Sequence, residues 1–212
     1  MRNFLINGLH FDWKIVTITI ISTLLLMVDA YHRITPESWG ITQWKAVDRT
    51  FLYLVIPLLI TLLVLHENPR KYGFTLGDWR AGLVITFLAC VLIAPVLWVV
   101  AHGDSTMQDY YKDQVNGLPW NTFLDLLGWE YIFRGWILFG YSRKFGADAL
   151  WLQAVPFAMA HIGKPEVETI STIFGGFAFG WVAWRTKSFV YPLLIHWFVA
   201  SFTILVAAGV LG

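Results

Sequence analysis

The stretch GWEYIFRGW, residues 128–136, sets Glu130 and Arg134 inside an apolar run, with Leu126 and Leu127 before it and Ile137, Leu138 and Phe139 after it. An ionisable side chain at the centre of a membrane helix costs about 2.5–3.5 kcal/mol on insertion, so it marks a functional site by default. Four positions apart, the two share one helix face and can pair. Two imidazoles lie equally deep: His161, which closes FAMAH and shares a face with Phe157, and His196 in LLIHWF. His10, His32, His66 and His102 fall near segment ends, where water reaches them, and read as interfacial. Taken singly, the Glu–Arg pair reads as a structural ion pair and each deep histidine as a packed, hydrogen-bonded residue. Together, on consecutive late segments, they form a set that a bundle can gather into one site.

The chemistry such a set can run is hydrolysis. A carboxylate buried beside an arginine is tuned by two opposing effects, burial and opposite charge, and can become a base able to take a proton from water. Imidazoles can then position the water or donate to the developing oxyanion. The same Glu130, His161 and His196 could instead hold zinc, leaving one coordination position open for water. Spacing alone leaves both mechanisms open.

The elements that must position these residues are membrane spans. The 212-residue chain is 57% hydrophobic, 17% aromatic and only 14% charged, where a soluble domain carries about a quarter charged residues. Its apolar residues lie in runs long enough to cross a bilayer. Seven segments are expected, near 13–31, 49–66, 79–101, 121–142, 148–162, 167–185 and 189–211. This makes an all-α, polytopic transmembrane helix bundle in one membrane domain, residues 1–212. The fifth segment is short for a span of about 20 residues, so HIGKPEVET after it is expected to line a cavity inside the membrane. The first apolar run is not followed by a small-x-small cleavage site and reads as a retained span.

Net charge is +1 and no basic run occurs, which argues against nucleic acid as a partner. Cys90, the single cysteine, lies in an apolar run and reads as a packed thiol. Nine basic residues (Arg2, Lys14, Arg70, Lys71, Arg80, Arg143, Lys144, Arg185 and Lys187) flank one face, against five (Arg33, Lys45, Arg49, Lys112 and Lys164) on the other. The positive-inside rule then puts the N-terminus in the cytoplasm of what reads as a bacterial plasma membrane. His161 and Glu166 fall nearer the outer face.

Over residues 121–200 the chain resembles the CPBP family, which comprises CAAX prenyl endopeptidases and bacteriocin-processing or immunity (Abi) proteins. EYIFR, FAMAH about twenty residues on, and FGGFAFGWVAWRTKSFVYPLLIHW follow the order of the family's Glu-Glu-x-x-x-Arg, Phe-x-x-x-His and later His motifs. The resemblance implies an intramembrane endopeptidase in which a glutamate activates water and the histidines position it or stabilise the oxyanion. The implied site is Glu130, Arg134, His161 and His196. The implied substrate is a membrane-anchored or prenylated polypeptide, or a bacterial signal or sorting peptide.

Two positions depart from the pattern. Trp129 stands where the family has its first glutamate, usually assigned the base role, and Ala200 stands where an asparagine is expected. Glu166, in the Gly-Lys-Pro-Glu turn after His161, is a candidate second carboxylate, ahead of Glu168; acids at a helix start also simply favour its dipole. Some members of the family combine a Trp-Glu start with this turn. The other function classes are a non-catalytic immunity or assembly protein of the same fold, which Trp129 and Ala200 favour, and a transporter, against which stands the lack of an internal repeat. Gly176 and Gly180, and Ser171 and Gly175, recur at four-residue spacing and read as packing surface before substrate groove.

Overall fold

Apolar runs that must satisfy their own backbone in lipid fold as helices, and the long runs here do so. The computed structural model describes residues 3–6 and 9–211; Arg2 of the charge count lies outside them. A short antiparallel hairpin, β1 (Asn3–Ile6) and β2 (Leu9–Asp12), pairs Asn3 with Asp12 and Ile6 with Leu9. It precedes α1 (Trp13–Tyr31), whose N-cap is Asp12, accepting from the backbone N–H of Lys14 at 3.0 Å. The hairpin was not expected, because its four-residue strands leave too short a pattern to read.

The second span begins earlier than expected. α2 (Ile41–Thr50) and α3 (Ile56–Leu63) run on as one apolar helix through a π turn at Phe51–Val55. α4 (Trp79–Gly103) follows, capped by Asp78, and α5 (Ser105–Tyr111), capped by Asp104, lies in the next connection. α6 (Trp120–Glu130) and α7 (Leu138–Phe145) are again joined by a π turn, Tyr131–Ile137, which carries Arg134. α8 (Ala149–Met159), α9 (Glu166–Thr186) and α10 (Val190–Ala207) complete the bundle. Among the described residues, four helices are long and apolar enough on their own to cross a membrane: Trp13–Tyr31, Ile41–Leu63, Trp79–Gly103 and Val190–Ala207. With the 120–145, α8 and α9 segments between them, the all-helical membrane bundle has about the seven segments read from the sequence.

Several hydroxyls inside the spans return to the preceding turn, as Ser22 to Ile18 at 2.7 Å and Thr61 to Pro57 at 2.8 Å, so that these groups are satisfied within their own helix. The core is aromatic: Tyr53, Trp129, Tyr131, Phe133, Trp136 and Phe157 are all buried around the α6–α7 segment. The glycines of α9 divide by face. A Cβ at Gly176 would stand 3.0 Å from both Ala154 and Phe157, and one at Gly180 would meet Gln153, so these two pack on α8. Gly175 has no atom within 4 Å of its Cβ position and lines the cavity described below with Ser171.

Ion pairs sort the helix ends into two faces. On one, Glu67 receives Lys14 Nζ at 2.7 Å, the Tyr72 hydroxyl at 2.8 Å and the guanidinium of Arg143, while Asp78 receives Arg185 at 2.9 Å. On the other, Arg49 is held between Asp29 at 3.1 Å and Asp125 at 3.0 Å, and Asp48 accepts the backbone N–H groups of Ile34 and Thr35. The face closed by Glu67 and Asp78 is the one that carries the excess of Lys and Arg.

Candidate active site

α6 enters from the Arg49 face and brings Trp129 and Glu130 to mid-bundle. There the π turn keeps Arg134 on Glu130's side, and Arg134 Nη1 donates to Glu130 Oε1 at 3.1 Å. Both side chains are fully buried, at 0% exposure. The guanidinium also lies 3.8 Å from the ring centre of Phe157 and 5.2 Å from that of Phe179, so aromatic faces share in balancing its charge. Glu130 Oε2 and Arg134 Nε and Nη2 find no protein partner among the described residues.

α8 stops after 11 residues, about 16 Å of helix and half a bilayer core. Its end places His161 at depth, with Nδ1 2.8 Å from the carbonyl of Phe157. A carbonyl only accepts, so Nδ1 carries the proton and Nε2 of the neutral ring is an acceptor. α10 brings His196 from the opposite side, with Nδ1 2.6 Å from Glu130 Oε1. The carboxylate thereby fixes the imidazole's orientation, and Nε2 is again the nitrogen left over. The sequence segments thus converge: Glu130, Arg134 and His196 form one hydrogen-bonded chain, and His161 joins through Trp129, whose ring centre is 5.6 Å from its own.

These side chains border a cavity of about 850 Å³. His161, His196, Trp129, Phe157, Phe179 and Ala200 all line it; Glu130 and Arg134 stand one layer behind His196 and Phe157. Toward the Arg49 face its mouth carries Lys45, Arg49, Asp125, Lys164 and Glu168. Glu168, not Glu166, is the acid of the α9 start that reaches the cavity. It accepts the Tyr111 hydroxyl at 2.6 Å and Lys164 Nζ at 2.7 Å, whereas Glu166 is exposed. Burial first, and then the charge of Glu168, raises the pKa of Tyr111, which keeps it a donor to that carboxylate.

Sequence reasoning did not single out the clamp on Arg49, whose guanidinium lies 4.5 Å over the Trp129 ring. Asp29, Arg49 and Asp125 each sit at the end of an apolar run, where a charge normally meets water, so nothing in the pattern set them apart. Trp129 itself closes the wall between Arg49 and His161, and its indole N–H has no protein acceptor among the described residues.

For zinc, each imidazole keeps Nε2 free while Nδ1 is held by the Phe157 carbonyl or by Glu130, as ligating histidines commonly are, but Glu130 stands behind His196 with its Oε1 shared with Arg134. No three His, Cys, Asp or Glu side chains among the described residues gather as a metal site would require.

The arrangement resembles in logic the acid–histidine couple of hydrolytic sites, where a buried carboxylate orients an imidazole that exchanges a proton with the reacting group. Residues 112–202 match the family model described as type II CAAX prenyl endopeptidase Rce1-like. The stretch covers less than half of the chain and contains every residue of the hydrogen-bonded site. No curated protein and no solved structure matches.

Proposed function

We propose that this chain, an integral membrane protein whose residues 112–202 belong to the CPBP/CAAX protease family, is an endopeptidase that hydrolyses a peptide bond of a membrane-associated polypeptide inside the α6–α10 cavity. It forms a single membrane domain in a bacterial plasma membrane, with its N-terminus cytoplasmic. The observation that carries the reading is the 2.6 Å contact of His196 Nδ1 with buried Glu130, on a ring that lines the cavity.

With Trp129 in the place of the family's first acid, the base role passes to His196, and Glu130 acts as its positioning partner. Nε2 of His196 takes a proton from water as the water oxygen attacks the scissile carbonyl carbon. The same nitrogen then returns that proton to the leaving amine as the C–N bond breaks. His161, its Nδ1 proton committed to Phe157, accepts a hydrogen bond from the attacking water at Nε2 and sets its direction. The unpartnered indole N–H of Trp129 is available to the developing oxyanion. Arg134 holds Glu130 in place through its 3.1 Å contact with Oε1. Glu166, exposed at the start of α9 and outside the cavity lining, takes no part in proton transfer.

The test is incubation of the purified protein with a library of membrane-anchored peptides, prenylated and unprenylated, read by mass spectrometry. Wild-type cleavage that is lost in His196→Ala and His161→Ala and kept in Glu166→Ala is the expected result. The absence of cleavage by the wild type across the library overturns the reading in favour of a non-catalytic membrane protein of the same fold, with Trp129 as its cause.

A further inference from the structure

The polar mouth of the cavity and the cation-rich face lie at opposite ends of the bundle. Lys14, Arg143 and Arg185 are all tied down on the side closed by Glu67 and Asp78. The mouth, with Lys45, Lys164 and Glu168, is on the other side, beside the Asp29–Arg49–Asp125 clamp. Short connections rich in Lys and Arg stay in the cytoplasm. The mouth therefore faces out of the cell.

The cavity is also open sideways. Leu92 and Val96 of α4 line it, yet are 72% and 52% exposed; on a membrane span, what lies beyond them is lipid. Across from α4, the lining positions of α9 run from Val167 to Val182, about 22 Å along the helix axis. That is most of the roughly 30 Å hydrocarbon core. The α9 wall is built at Ser171, Gly175 and Ala178 from small side chains, and Gly175 meets nothing within 4 Å of its Cβ position. Small residues let a second helix backbone approach closely. Below the histidines the lining is apolar, with Ala89, Ile93, Phe179, Val182 and Ile195. A polypeptide arriving through lipid must arrive as a helix, because its backbone has no other partner there.

We infer that the occupant of this groove is the apolar anchor helix of an exported polypeptide, admitted from the bilayer between α4 and α9, with the peptide bond to be cut lying on the outer side of that anchor. The inference rests on the endopeptidase reading for its chemistry and on charge distribution and groove shape for its direction.

Two measurements on the full chain test it. With Cys90 replaced by alanine, single cysteines at the exposed positions Asn116→Cys and Ala147→Cys are treated in intact cells with a membrane-impermeant maleimide. Labelling of the first and protection of the second is expected; the reverse overturns the inference. In cells, single-span reporters with an uncharged apolar anchor carry a cleavable segment either outside or inside. Cleavage of the outside segment alone is expected, and cleavage of the inside segment alone overturns the inference while leaving the endopeptidase reading intact. If neither reporter is cut but prenylated or free peptides are, the anchor helix is the wrong occupant and the endopeptidase stands. If nothing is cut in any format, the endopeptidase reading falls with the occupant, and labelling still fixes the side on which the mouth opens.

Discussion

His196 Nδ1 lies 2.6 Å from Glu130 Oε1, and the same oxygen accepts Arg134 Nη1 at 3.1 Å. One atom thus joins a buried ion pair to a ring on the cavity wall. The ring serves the chemistry alone, whereas the ion pair serves both the stability of the bundle and, through Glu130, the position of the ring, so changes at the two ends of this chain differ in what they do to stability.

Removing the ring removes the proton acceptor and leaves the ion pair. His196→Ala should lower turnover by about 10²–10⁴-fold, the usual worth of a positioned acid–base group, while thermal unfolding in detergent moves little. Because the cavity is large enough for a small ring, added imidazole should restore part of the lost rate. A variant that keeps wild-type turnover would remove His196 from the mechanism.

Breaking the pair leaves a lone buried charge, which costs about 3–5 kcal/mol. Glu130→Met and Arg134→Met should each destabilise by that order. The double variant should lose less than the sum, since two apolar side chains of similar length replace two compensating ions. A double-mutant cycle on unfolding free energies measures the coupling. Strict additivity would show that the pair contributes nothing beyond its separate members.

Two glycines offer a contrast in packing. A Cβ at Gly128 would stand 2.3 Å from the carbonyl oxygen of Arg49, a backbone atom that cannot move without shifting α2. Gly128→Ala should therefore destabilise by about 1–3 kcal/mol and loosen the Arg49 clamp. Gly175→Ala meets open space and should be neutral or stabilising by up to about 1 kcal/mol through helix propensity alone. Melting temperatures of the two variants, side by side, give the comparison.

Acid should weaken the closed face first. Burial raises the pKa of Glu67, but hydrogen bonds from Lys14, Arg143 and Tyr72 outweigh it and hold the group at about 2, below its ordinary 4.5. A carboxyl whose folded pKa is depressed contributes stability that is present in full above the unfolded value and is lost as pH falls through the folded one. Stability should accordingly decline between pH 4.5 and about 2. Glu67→Gln should flatten that part of the profile and lower stability at neutral pH. Unfolding followed across this range reads both effects.

Hydrophobic runs made α1, α4 and α10 readable to within a few residues, since only helices can carry such lengths of apolar chain through lipid. The start of the second span was harder, because Gln43, Lys45, Asp48 and Arg49 make Ile41–Thr50 look like a polar connection. Its charges are spent on long-range partners, Asp48 on the backbone at Ile34 and Thr35 and Arg49 on Asp29 and Asp125. Glu130 and Arg134 were legible as a pair because periodicity relates near neighbours. The meeting of Glu130 with His196, 66 positions away, depends on how α10 docks against α6, which no local pattern encodes. Glu166 and Glu168 illustrate the same limit. Two positions apart in one helical turn, they point to different sides, and Tyr111 on α5 is what shows that Glu168 faces inward.

The contact of Asp78 with Arg185, reinforced where the Asp78 backbone N–H donates to the Thr186 carbonyl at 2.9 Å, joins α4 and α9 at a single end. Away from that joint α4 is held by α10 instead: Gly82 lies against Tyr191, Ile85 and Ala89 pack on Tyr191 and Ile195, and Ala101 is buried in one cluster with Ile204 and Ala207. The lipid-facing slot is therefore a gap between two walls that share a common post, α10, which also carries His196. A change that reseats α10 alters the entrance and the reacting ring together.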